Sequence, residues 1–150
     1  METIQAKYIE WLSAEEMHKG SQLWLSELEF IKDEHLFFEH LIKSHTLQLI
    51  DPEKFSHNTQ VIDAVNTSQR QTIQLIDLVK QHENALGIMV DDVDQPNEEE
   101  VYKKEHRTLI NKINEFKKHY QCLKKQLFGI VKDIKKQEKQ RRLLDTKTPF

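Results

Sequence analysis

The residues in this sequence best suited to chemistry are its eight histidines and the carboxylates near them. His35 and Glu39 are four positions apart, a spacing that puts both side chains on one face of a helix, one turn apart, and so offers two ligands to a metal ion. Glu15 and His18 form the one Glu-x-x-His pair in the chain. A ferritin-like di-iron site needs Glu from two helices and Glu-x-x-His from two others, all pointing inward. Glu15 and His18 fall in the first turn of a helix, away from the middle, so a hemerythrin-like or ferritin-like centre would have to be built on His35 and Glu39.

Those two residues belong to Glu27 to Leu49, the apolar middle of a long first helix. Ser13-Ala14-Glu15-Glu16 has the form of a capping box, with the Ser13 hydroxyl accepting from the backbone three residues on, and it starts that helix. Apolar and semi-apolar residues then recur at alternating steps of four and three: Met17, Ser21, Trp24, Leu28, Ile31, His35, Phe38, Ile42, His45 and Leu49. The average step of 3.5 is that of a coiled-coil-like seam between nearly aligned helices. Leu25, Leu36, Phe37 and Leu41 are expected to widen it.

Asp51-Pro52 reads as an N-cap with proline in the first helical position, so a second helix follows at once as an antiparallel hairpin. Its seam is weaker: Phe55, Asn58, Ile62, Val65, Gln69, Thr72, Ile76, Val79, Glu83, Leu86 and Val90. Asp91 to Asn97 is the one clear loop, and Asn97 before three glutamates is expected to cap a third helix. That helix carries Tyr102, His106, Leu109, Ile113, Phe116, Tyr120, Leu123, Leu127, Ile130 and Ile134 on its seam, with Val131 beside it. The expected fold is all-α: a single-domain, up-down-up bundle of three long helices over 13–50, 52–90 and 98–141. Residues 1–12 are a short helix or arm and 143–150 a frayed tail.

In this arrangement position 35 lies across from Gln69 and Thr72, with Tyr120 or His119 on the third helix. Those are hydrogen-bonding partners, not the hard anionic and imidazole set that holds iron or zinc. The stronger reading of His35 is a satisfied polar layer that fixes helix register. His45 reads the same way, and at the other end Trp24, Glu83 and His106 share a layer that His82 could join. His18, His40 and His57 face solvent. Cys122 sits one position off the third seam as inert packing beside His119. With no Gly-rich phosphate loop, Cys-x-x-Cys or Gly-x-Ser-x-Gly, the sequence supplies no catalytic residue, cofactor or small-molecule substrate.

Charge is uneven. Lys117 to Arg142 holds ten Lys or Arg against Asp133 and Glu138, while Met1 to Ile50 holds nine acids against four lysines. Helices 1 and 3 run parallel in this topology, so their charges can match across exposed borders, which favours a solvated and partly neutralised face. The competing reading is a nucleic-acid or acidic-partner surface, and nucleic acid is not expected because no exposed aromatics interleave with the lysines for base stacking.

Few turn residues (three Gly, three Pro), 31% charged residues and a net charge of -3 indicate long helices with no global drive toward polyanions. A lone cysteine, no signal-peptide pattern and no apolar run of about 20 residues point to a cytoplasmic protein that does not span a membrane. The segment ELEFIKDEHLFFEHLI, Glu27 to Ile42, resembles the opening helix of a group of small uncharacterised bacterial helical-bundle proteins. That resemblance implies a bundle of bacterial origin and brings no activity or site residue with it. The function expected is non-enzymatic: an interaction or structural module, with a protein partner or a second copy of the chain.

Overall fold

In the computed structural model, the backbone is described for residues 13–91 and 96–147. It forms α1 (Ala14–Ser44), a short α2 (Thr46–Leu49), α3 (Phe55–Asp91) and α4 (Pro96–Lys147), with no strand among the described residues. The described residues form an all-α assembly with three long helices. The expected loop falls partly, and the lead-in at 1–12 wholly, outside the described residues.

The backbones of α1 and α3, and of α3 and α4, approach closely, as a hairpin order dictates, whereas α1 and α4 stand further apart. Long side chains bridge that wider gap. Lys117 donates to Glu27 at 2.8 Å, Lys124 to Glu34 at 3.0 Å and Gln48 to Glu138 at 2.9 Å. All three pairs, two from α1 and one from α2, have the same sequence offset of 90, so α1 runs parallel to α4 and in register with it. Successive rungs fall at whole heptads, which is why one face of each helix meets the other over its length.

The seams of α1 and α4 fall where the spacing puts them. Met17, Ser21, Leu28, Ile31, His35 and Phe38 are buried on α1, as are Tyr102, His106, Leu109, Ile113, Phe116, Tyr120, Leu123, Leu127 and Ile134 on α4. Val131 is buried there while Ile130 is only half-buried. On α3 the spacing holds, but three positions move by one and the expected Phe55 is exposed. Asn58, Val65, Thr72, Val79 and Leu86 are buried as expected, and between them lie Val61, Ser68, Leu75 and His82. Ile62, Gln69 and Glu83 are half-buried flanks, while Ile76 is buried beside Leu75.

Several boundaries differ from the sequence expectation. The first helix does not run to Ile50 but breaks at His45 (φ -117°, ψ 23°). Ser44 donates to His40 O, His45 Nδ1 to Leu41 O, and Thr46 Oγ1 to Lys43 O and Ile42 O. Three successive side chains bonding back to the preceding turn compete with the helical ladder. The His45 amide, in turn, takes the tighter bond to Ile42 O. Asp51 does not cap a helix at Pro52. Its carboxylate accepts from the Glu53 amide in a separate turn, and α3 begins at Phe55. Asn58 Nδ2 closes the hairpin on Leu49 O at 3.1 Å.

α4 begins at Pro96, so Asn97 lies inside it, and it continues to Lys147. The expected equal helices are therefore 31, 37 and 52 residues long. Beyond Glu138, α4 carries only exposed residues from Lys139 to Asp145. No helix among the described residues is long and apolar enough to cross a membrane.

Candidate functional site

His35 is buried in the middle of the bundle. Its Nδ1 lies 2.8 Å from Ile31 O, and since a carbonyl can only accept, Nδ1 carries the proton. Nε2, 3.0 Å from Ser68 Oγ, is then the acceptor of the serine hydroxyl. The ring packs against Tyr120 and Phe38 at centroid distances of 5.2 and 5.8 Å. Burial lowers its pKa, opposed by the Ile31 carbonyl and the Glu34 charge, so the ring stays neutral at neutral pH.

Glu39, the other metal candidate, is exposed and pairs with Lys43 at 3.8 Å. One turn of helix separates it from an imidazole whose two nitrogens are already used. The Gln69 partner expected for His35 is replaced by Ser68, and Tyr120 contacts it through its ring. Tyr120 donates its hydroxyl to Glu34, which also holds Lys124, and burial followed by that carboxylate raises the phenol pKa. His119 is exposed beside Glu115, and Cys122 is exposed instead of packed. Among the described residues, no three His, Cys, Asp or Glu side chains are grouped to hold a metal ion.

A second polar layer lies near the other end. Trp24 and His106 share it, with ring centroids 4.6 Å apart, but the partner of His106 is His82, not Glu83. His82 Nε2 and His106 Nδ1 are 2.8 Å apart, and both residues are almost fully buried. Tyr102 stacks on His82 at 4.0 Å with planes within 6°. Gly20 faces His106 from α1, and a methyl group there would stand 4.0 Å from Nε2.

Two imidazoles at this distance share one proton. The Glu105 carboxylate, 3.7 Å from His82 Nδ1, favours that nitrogen as the protonated one, leaving Nε2 to accept from His106 Nδ1–H. Burial, then the neighbouring His82, pushes His106 down to about 4. Burial also lowers His82, against the pull of Glu105. Glu83 instead lies 3.5 Å from His18, through an oxygen that is itself buried. These rings are neutral, stacked and enclosed, which suits them to fixing packing and leaves no face for a substrate.

What the bundle leaves outside is a different kind of surface. Leu23, Phe30 and Phe37 on α1 are 59%, 66% and 53% exposed and stand one heptad apart. Leu36 and Phe37 therefore do not widen the buried stripe. Phe30 edges a groove of about 460 Å³ between α1 and α4, floored by Ile31 and Tyr120 and flanked by the Glu27–Lys117 and Glu34–Lys124 pairs. Neither the seam nor residue type marks this row in the sequence, because apolar residues on a helix read first as core. Comparison with protein-family models, curated proteins and solved structures finds no match to this chain.

Proposed function

We propose that the chain is a non-enzymatic interaction module that self-associates through the outer face of α1. The observation that supports this reading is the exposed row Leu23, Phe30 and Phe37 at heptad spacing. A row with that period suits a second helix laid alongside, where each side chain enters the gap between its counterparts. It is symmetric about Phe30, so a two-fold axis there brings Leu23 against the partner's Phe37 and Phe30 against the partner's Phe30. The adjoining carboxylates Glu27 and Glu34 are already held by Lys117 and Lys124, which leaves Asp33 as the acid beside the centre of the row. The exposed free thiol of Cys122 supports a reducing, cytoplasmic setting.

Sedimentation equilibrium over a dilution series tests the reading. The wild type is expected to shift from dimer to monomer mass on dilution. Phe30→Lys is expected to weaken association by at least about 30-fold, the scale of a central hot spot, with helical circular dichroism unchanged. A wild type that stays monomeric at every concentration, or a Phe30→Lys variant that dimerises as tightly as the wild type, overturns it.

A further inference from the structure

We infer that the outer face of α4 binds single-stranded nucleic acid, along the row Lys118, Lys125, Lys132 and Lys139 with Phe128 set between them. The ten cations of Lys117 to Arg142 divide by position. At 117–118 and 124–125 the first lysine of each pair turns to α1 and is bound by Glu27 or Glu34, and the second turns outward. The next two heptads place Val131 and Glu138 inward and Lys132 and Lys139 outward.

The result is four exposed lysines on one line, each one heptad from the next. Among the described residues no carboxylate is within ion-pair distance of any of them. Of the two acids within Lys117 to Arg142, Glu138 is engaged by Gln48, leaving Asp133 beside the row. The neutralisation that α1 offers thus stops at the inner row.

The row spans roughly 31 Å at 1.5 Å per residue, a track on the order of five nucleotides, within the range of single-strand sites. Phe128 stands three residues after Lys125 and four before Lys132, so it shares their face. Its ring is 41% exposed and is held edge-on by Phe38 at 5.8 Å. A fixed aromatic between regularly spaced cations can stack a base while the cations take the phosphates, which a base inside a duplex cannot do. The inference does not rest on self-association, since it uses α4 and not the α1 row.

Fluorescence anisotropy with labelled oligo(dT) and oligo(U) about twenty nucleotides long tests it, a length that exceeds the proposed site. Four phosphate contacts predict a slope near -2.8 in log affinity against log salt, or about 50-fold weaker binding between about 50 and 200 mM. The double variant Lys125→Gln/Lys132→Gln should lower that slope to about -1.4. Lys19→Gln/Lys43→Gln makes the same charge change on α1 and should leave binding as it is. Phe128→Leu keeps a core contact without the ring and should weaken binding about tenfold at unchanged slope. No binding at low salt overturns the inference. So does equal loss in the two lysine variants, an unaffected Phe128→Leu, or a duplex bound as tightly as the single strand.

Discussion

The two buried histidine layers use the same residue type in different ways. In the His35 layer each ring nitrogen has one partner of fixed character, a carbonyl that only accepts and a hydroxyl that donates. In the His82 and His106 layer, one imidazole is the partner of the other, and the outermost nitrogen has only the Glu105 carboxylate nearby. A serine hydroxyl can rotate to accept if its imidazole gains a proton, whereas two facing imidazolium ions repel. Burial therefore makes both rings resist protonation, and a second imidazole as partner adds a repulsion that a neutral hydroxyl does not.

The largest expected effect follows from that difference. An unfolded histidine titrates near about 6.5, while folded His106 is held down to about 4. The unfolded state therefore binds protons first. The contribution of His106 to stability is complete above about pH 6.5 and is lost as the pH falls toward 4, a change of about 3 kcal/mol. Urea unfolding across that interval should show the loss, and His106→Leu should flatten it. The substitution itself should cost about 1–3 kcal/mol at neutral pH, because His82 Nε2 loses its donor. A profile for His106→Leu as steep as that of the wild type would move the acid sensitivity elsewhere.

A smaller effect is expected at the other layer. A double-mutant cycle between His35→Leu and Ser68→Ala should give a coupling of about 1 kcal/mol at neutral pH, the net worth of one buried hydrogen bond. Zero coupling would mean that the two side chains do not meet. Smallest are the rungs between α1 and α4. Lys124→Met and Lys117→Met should each cost under about 1 kcal/mol, falling further in high salt, because both pairs are partly exposed. Lys124→Met should be the larger, since Glu34 is the more buried carboxylate.

How much of this was readable in the sequence depended on contrast between neighbouring residues. On α1 and α4 most seam residues, such as Leu28, His35, Leu109 and Ile113, have a polar or charged neighbour on at least one side, so the buried faces fall largely where expected, with Val131 buried in place of Ile130. On α3 each ambiguous step offers two residues of similar character: Val61 or Ile62, Ser68 or Gln69, Leu75 or Ile76, His82 or Glu83. Hydropathy cannot choose between them. A single displacement by one residue therefore accounts for both partner corrections, Ser68 for Gln69 and His82 for Glu83.

The break at His45 came from three side chains bonding to carbonyls of the preceding turn, which no periodicity encodes. The inner and outer rows of α4 were hidden for a related reason. Paired lysines look alike in sequence, and only the position of α1 separates the one that is neutralised from the one that is not.

His35, His82 and His106 lie inside as structural groups and the proposed binding surfaces lie outside, against a metal centre on His35 and Glu39. Nitrogen-15 NMR of the imidazole rings at neutral pH, before and after stoichiometric zinc or ferrous iron, tests this most directly. The expected result is a neutral His35 protonated at Nδ1, one proton shared between His82 and His106, and spectra unchanged by metal. A metal-dependent shift of the His35 nitrogens, abolished by Glu39→Gln, would contradict it.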